Sequence, residues 1–193
     1  MMQLSDIQII RKVIDGDKNA FNDIMNRHEK SILNFAYRML SNRTEAEDVT
    51  QEVFLRAYKN IETFEARAKF STWLFKIARN LCLNKLRHTF RFPTFSIDKP
   101  IKGNERDLQI QIEDKKQVSP SLNILKKELQ NIVRTALDSL PKNQKIAVVL
   151  RRYEDMSYEE IAMIMNCSVS AVKSMLNRAK QTLKNRLKHY AQE

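Results

Sequence analysis

Apolar residues recur at three- and four-residue spacing along most of the chain, the signature of helices that bury one face. Asp6 to Ile14, after Ser5, reads as an opening helix. Asp17 is placed to cap a second, in which Phe21, Ile24, Met25, Ile32, Leu33, Ala36, Met39 and Leu40 keep helical spacing. Thr44 and Glu47 fit a capping box for a third helix over about Glu45 to Lys59. Ser71 is placed to cap a fourth that runs towards Arg91. Periodicity then stops. Pro93, Pro100, Gly103 and Pro120 punctuate a stretch that reads as a linker. Ser119-Pro120 looks like a helix start, with proline just inside. Helical patterns resume over Leu122 to Leu140 and Lys142 to Tyr153. Long alternating strand patterns are missing, so the predicted fold is all-α. Two small helical domains, residues 5–91 and 122–193, are joined by a flexible linker at residues 92–121.

The stretch SYEEIAMIMNCSVSAVKSMLNRAKQTL, Ser157 to Leu183, has a finer layout. Ser157 and Glu160 match a capping box, so a helix begins at Tyr158. Ile161, Ala162 and Met165 form its inner face. Asn166-Cys167-Ser168 makes the turn, and asparagine tolerates a left-handed backbone there. Ser168 caps the next helix, whose Val169, Val172, Leu176, Ala179, Leu183 and Leu187 point inward. Its outer face carries Ser170, Lys173, Ser174, Asn177, Gln181 and Lys184. This is the layout of a helix-turn-helix, with hydroxyls, amides and cations suited to base edges and phosphates in a major groove. An ordinary helical hairpin with a solvated face has the same apolar pattern. Charge favours nucleic acid, because the 193-residue chain carries a net +11.

Between Glu65 and Asp98 there is no acid, but there are seven cations: Arg67, Lys69, Lys76, Arg79, Lys85, Arg87 and Arg91. Phe64, Phe70, Trp73 and Phe75 are interleaved with them. Aromatics beside cations serve single-stranded nucleic acid, although most of these rings are expected in the core. Asn80 shares the helix with Lys76, Arg79 and Arg87, and its amide could read an exposed base edge. The third helix carries Asp48, Gln51, Glu52 and Leu55 on one exposed face, opposite a buried stripe of Ala46, Val49, Val53 and Ala57. That acidic face is either solvated or a dock for a basic partner.

Other chemistry is thin. Cys82 and Cys167 are far apart, as are His28, His88 and His189, so no metal ligand set is expected. Two glycines cannot build a phosphate-cradling loop, and no cofactor is expected. No run of eighteen apolar residues and no signal peptide is visible, so the expectation is a cytoplasmic, nucleoid-associated protein without membrane insertion.

Three stretches, AEDVTQEVFLRAYKNI, FSTWLFKIARNLCLNKLR and SYEEIAMIMNCSVSAVKSMLNRAK, resemble the extracytoplasmic-function (group IV) sigma factors of bacterial RNA polymerase. The resemblance covers nearly the whole chain. It implies a non-enzymatic initiation factor of the sigma-70 family. Residues 5–91 are similar to region 2. There Asp48, Gln51, Glu52 and Leu55 would dock on the clamp helices of the large polymerase subunit. Phe64, Arg67, Lys69, Phe70, Trp73, Lys76, Arg79, Asn80 and Arg87 would open the minus-ten element, and Asn80 would hold a flipped base. Residues 122–193 are similar to region 4, with Ser168, Ser170, Lys173, Ser174, Asn177 and Arg178 facing minus-thirty-five DNA. The resemblance further implies a contact with the polymerase flap region, a linker threaded near the RNA path, and restraint by an anti-sigma factor.

Some residues depart from the family pattern. Ser170-Ala171 stands where Gly-Thr is common, Met175 where arginine is common, and Asn84 where aspartate is common. Two other readings carry different expectations. A stand-alone helix-turn-helix regulator would have no use for the Asp48 face. A serine recombinase would need a strand–helix catalytic domain in the first ninety residues, where only helices are expected.

Overall fold

The structure is a computed structural model that describes residues 4–91 and 120–190. All regular structure among the described residues is helical. The first group holds α1 (Asp6–Ile14), α2 (Ala20–Leu40), α3 (Arg43–Lys59) and α4 (Phe70–Arg91), with a 3-10 turn at Ile61–Thr63 before α4. The second holds α5 (Pro120–Asp138), α6 (Lys142–Tyr153), α7 (Tyr158–Met165) and α8 (Val169–Leu187). The all-α expectation holds. The expected flexible linker falls outside the described residues, apart from its last two positions, which open α5.

Local chemistry explains most boundaries. Ser5 caps α1, and Gln8 reaches back to its backbone, closing a capping box. Gly16 has φ +104°, a left-handed turn that only glycine adopts cheaply between α1 and α2. Asp17 accepts the backbone N–H groups of Asn19 and Ala20, at 3.1 and 3.3 Å, so it covers the start of α2 from three residues upstream. The α3 expectation needs correction. Asn42, not Thr44, is the cap, and it accepts the Glu45 N–H at 3.1 Å. Ser41 ends α2 in the left-handed region, so the chain turns at once and α3 starts earlier. Ser71 is likewise no cap, because α4 begins at Phe70 and the Trp73 N–H already reaches the Lys69 carbonyl.

The N-terminal core is built from α2, α3 and α4. Ile24, Ile32, Phe35, Ala46, Val53, Ala57, Leu74 and Ala78 are completely buried. Phe35 meets Phe75 edge-on at 5.4 Å between ring centres. Each large side chain so buried contributes about 1.5–3 kcal/mol relative to leaving it exposed. Asp6 ties α1 to α2 through Arg27 at 3.0 Å and His28 at 2.8 Å.

The second group does not stand apart. Ile146, Ala147, Val149, Leu150, Ile161, Ile164 and Val172 belong to the same continuous apolar core. α7 packs on α4, and α6 packs on α2. A smaller cluster of Leu137, Leu140 and Ala179 holds α5 to α8. Polar links rim the contact between the groups. Lys69 meets Glu160 at 3.0 Å, Lys145 donates to the Met39 carbonyl at 3.1 Å, and the Arg38 guanidinium lies 4.0 Å from the Tyr153 ring centre.

Glu154, in the loop after α6, is partly buried against α2. Desolvation pushes its pKa up to about 7, against the pull of Arg38 and the Ser31 hydroxyl and with a small push from Asp155. The native protein therefore binds this proton more tightly than the unfolded chain does. The resulting stability is complete below the ordinary value of 4.5 and is lost as pH rises through about 7. Melting temperatures measured from about pH 5 to pH 8 should fall for the wild type relative to Glu154→Gln, whose amide does not titrate. Parallel curves would refute the assignment.

Candidate nucleic-acid and polymerase interface

Three exposed polar surfaces are held by this framework. The first lies on α3. Ala46, Val49, Val53 and Ala57 are buried, which turns Asp48, Gln51 and Leu55 outward and leaves Glu52 half-exposed. Leu55 keeps 47% of its surface, and the neighbouring Tyr58 keeps 36%. Spaced three apart, the two form a small apolar pair beside the carboxylates. The acids are lightly tied within the chain. Glu52 pairs with Arg56 at 2.6 Å, and Asp48 lies 3.6 Å from the Lys85 ammonium. Both are exposed pairs of small energetic weight, so a partner can displace them.

The second surface is formed by the end of α3, the turn after it, and α4. Arg56, Asn60, Thr63, Trp73, Ile77 and Asn80 line an open cavity of ≈ 280 Å³. Phe64, Phe70 and Trp73 stack around one another with ring centres 5.2–5.6 Å apart. Phe70 is only 2% exposed, so it does not face nucleic acid as expected. It packs beneath the half-exposed Phe64 and Trp73 and orients them. Asn80 is exposed, and its amide oxygen accepts from Arg79 at 3.1 Å, which fixes the side chain at the cavity wall. Lys76 and Arg87 are exposed on the same helix.

The remaining cations of the set are engaged. Arg67 pairs with Glu65 at 2.8 Å, and Lys69 with Glu160 of α7. Arg79 is half-buried, and its Nε has no hydrogen-bond partner. Desolvation lowers its pKa, with the Cys167 thiol opposing and Arg87 adding to the effect. Arg56, Asn60 and Thr63 were missed by sequence reasoning. They straddle the end of α3, with Arg56 in its last turn and Asn60 and Thr63 after it, and Asn60 closes the helix by donating to the Arg56 carbonyl at 2.8 Å.

The third surface is the helix-turn-helix. Ser157 accepts the Glu160 N–H at 3.2 Å, and the Glu160 carboxylate accepts the Ser157 N–H at 2.8 Å. Asn166 takes the left-handed turn at φ 51°. Ser168 accepts the Ala171 N–H at 3.2 Å and starts α8. Val172 and Ala179 are fully buried, whereas Val169, Leu176, Leu183 and Leu187 are half-buried. The opposite face is open: Ser168, Ser170, Lys173, Ser174, Asn177 and Arg178 are all exposed. Six short polar or cationic side chains on the leading turns of one helix can meet base edges and phosphates in a major groove.

Neither cysteine takes part in these surfaces. Burial raises the Cys82 thiol to about 12, and Cys167 packs half-buried against the core. Among the described residues no group of histidine, cysteine and acidic side chains could hold a metal ion, and no helix is long and apolar enough to cross a membrane.

Two family models match in the order of these surfaces. Sigma-70 region 2 matches residues 24–91, and Sigma-70 region 4 matches residues 130–183. The chain is 35% identical to the ECF RNA polymerase sigma factor SigW of Bacillus subtilis, over 93% of this chain and 95% of that one. It is also 35% identical to the ECF RNA polymerase sigma-E factor of Haemophilus influenzae, over 96% of each. Among solved structures it is similar to the sigma factor RpoE of Bartonella quintana, determined in complex with the anti-sigma factor NepR. The TM-score there is 0.66 at 26% identity, covering 87% of this chain and 96% of that one. CnrH, determined with the cytosolic domain of CnrY, shares the fold at TM-score 0.68 and 24% identity, over 95% and 97% of the two chains. Matched over both regions, and over nearly its full length by these relatives, the chain belongs to the extracytoplasmic-function sigma factors that direct RNA polymerase.

Proposed function

We propose that the three surfaces divide promoter recognition among them. The α3 face of Asp48, Gln51, Glu52 and Leu55 docks on a basic surface of core RNA polymerase, the clamp helices of the large subunit. The Asn80 cavity receives one base of the minus-ten element after it has left the stack. Trp73 supplies its aromatic wall, with Phe64 packed against that ring, while Lys76, Arg79 and Arg87 neutralise the adjoining phosphates. Extruding a base costs a few kcal/mol, and a walled cavity with a fixed amide is built to return about that much. The outer face of α8 reads minus-thirty-five duplex. The observation that carries this reading is the cavity itself, which sets the Trp73 ring and the Asn80 amide side by side on a helix without acids.

The chain works on this reading as a promoter-specifying subunit rather than an enzyme, in the cytoplasm, and under an anti-sigma factor of the kind bound to its structural relatives. A stand-alone helix-turn-helix regulator would leave both the acidic face and the Asn80 cavity without a use.

Three measurements test the division. Reversing charge at Asp48 and Glu52 should weaken binding to core polymerase at least about tenfold while helicity stays unchanged, since truncated charge contacts at interfaces cost about 2 kcal/mol or more; full retention in a pull-down would remove that face from the interface. Asn80→Ala should slow promoter opening more than it weakens the closed complex, and equal losses would argue against base capture. Lys173→Ala should weaken minus-thirty-five duplex binding across sequences and reduce the salt slope by about one. An unaltered slope would take Lys173 off the phosphate.

A further inference from the structure

The aromatic wall of the Asn80 cavity is braced by residues that belong to none of the three exposed surfaces. Phe70 opens α4 and is only 2% exposed. Its ring meets Phe64 at 5.2 Å and Trp73 at 5.5 Å between centres. It also meets the His28 ring of α2, edge-on at 5.9 Å. Edge-to-face pairs fix the relative orientation of two rings as well as their distance. Trp73 lines the cavity, so the direction of its indole depends on Phe70, and that of Phe70 on His28.

His28 is held in its turn. Its Nε2 lies 2.8 Å from one Asp6 carboxylate oxygen, and the other oxygen accepts from Arg27 at 3.0 Å. A carboxylate only accepts, so Nε2 of His28 is the donor. Asp6 stands in the first turn of α1, where the positive end of the helix dipole favours a carboxylate. α1 also touches the 3-10 turn Ile61–Thr63, whose Ile61 is buried and whose Thr63 borders the cavity. One short helix thus secures both ends of the segment 64–69. It holds the turn before that segment by packing, and Phe70 after it through Asp6 and His28.

We infer that Asp6 and His28 are positioning residues for the base cavity. The Asp6–His28 pair sets Phe70, and Phe70 sets the Trp73 ring that an unpaired minus-ten base meets. This deepens the proposed reading of the cavity and rests on it. Neither residue touches the nucleic acid. Both lie off the α3 face and off the outer face of α8, so breaking the pair leaves polymerase docking and duplex binding intact.

Trp73 is the single tryptophan of the chain, so its fluorescence reports the ring directly. Four variants separate the links. Asp6→Ala removes the acceptor, while buried Ile9, Ile10 and Val13 still anchor α1. His28→Gln keeps a donor for Asp6 and loses the ring. His28→Phe keeps an edge for Phe70 and loses the donor. Arg27→Gln breaks the other Asp6 contact and leaves His28 on Phe70. Emission and acrylamide quenching are read on the free full chain. Affinities for a labelled single-stranded minus-ten oligonucleotide and for a minus-thirty-five duplex are read on each chain assembled with core polymerase.

Asp6→Ala and both His28 variants should shift Trp73 emission and quenching, and should bind the unpaired strand about three- to tenfold more weakly. Their affinities for core polymerase and for the duplex should stay within about twofold of wild type. Asp6→Ala combined with His28→Gln should cost no more than the worse single change, because both act through one ring. Arg27→Gln should lower the melting temperature yet keep wild-type emission and strand affinity. Wild-type emission and strand affinity in Asp6→Ala overturn the inference. So does a loss shared equally by strand, duplex and polymerase binding, which is what general loosening of the fold produces. A strand defect in Arg27→Gln as large as in Asp6→Ala does the same. Should Asp6→Ala fail to fold, the two His28 variants decide. An Asn80→Ala holoenzyme that binds the strand as tightly as wild type would instead strike the proposed cavity, and Trp73 emission would still decide the positioning.

Discussion

A helix of eight residues does not persist in water on its own, and α7 is the piece on which this architecture turns. Four of its residues, Ile161, Ala162, Ile164 and Met165, are buried, so apolar positions cover nearly half its circumference. Such a helix has to be covered on more than one side. α8 and α6 cover part of it and make the helix-turn-helix; α4 covers the rest. The same packing that fixes α8 therefore brings the second half onto α4. The capping box at Ser157 and the left-handed Asn166 then only define where this short segment starts and stops. Its position comes from burial.

Charge is arranged around that core with a division of sign. The net charge of +11 would repel a basic partner if it were evenly spread. α3 avoids this by gathering acids on one turn-spaced face, while α4 carries no acid at all and α8 none among the residues facing outward. Because helices present residues three and four apart together, a sequence can keep opposite signs on adjacent helices without bringing them into contact. The exceptions are informative. Asp48 near Lys85 and Glu160 with Lys69 are two of the points where acid and base meet between elements. The first ties α3 to α4 within one half, and the second ties one half to the other.

Much of this was legible in the sequence because it is local. The ends of α1, α7 and α8 follow from Ser5, Ser157 and Ser168, residues whose capping role depends only on their neighbours in the chain. The buried stripe of α3 and the outer face of α8 follow from periodicity. The cap of α3 was misread because Thr44 and Glu47 make a valid capping-box pattern, yet Asn42 competes for the same task two residues earlier. Ser41 decided the contest by turning left-handed, and nothing in serine's ordinary preference announces that. Phe70 was read as facing nucleic acid, but an aromatic among cations has the same sequence appearance whether it stacks on a base or supports the ring that does. The cavity depends on Arg56, Asn60 and Thr63, which approach Asn80 only through tertiary packing. The contact between the halves was wholly hidden. Its one local hint was Ile164, an apolar residue off the inner face assigned to α7, which needs a second neighbour to bury it.

The departures from the family pattern acquire a physical sense in this setting. Met175 is half-buried and packs against the apolar core, where the family's arginine would reach outward. An unbranched thioether suits an irregular gap, so the position works for helix packing in this chain rather than for a base edge or a phosphate. Ser170 stays exposed, its hydroxyl 2.9 Å from that of Ser168, so the start of α8 presents two linked hydroxyls where a glycine would present only backbone. Hydroxyls donate and accept, and they discriminate less sharply among bases than a bidentate guanidinium does. On the proposed reading, duplex recognition by α8 shifts from strong base contacts towards phosphate contacts by Lys173 and Arg178, and a larger share of promoter choice falls on the Asn80 cavity.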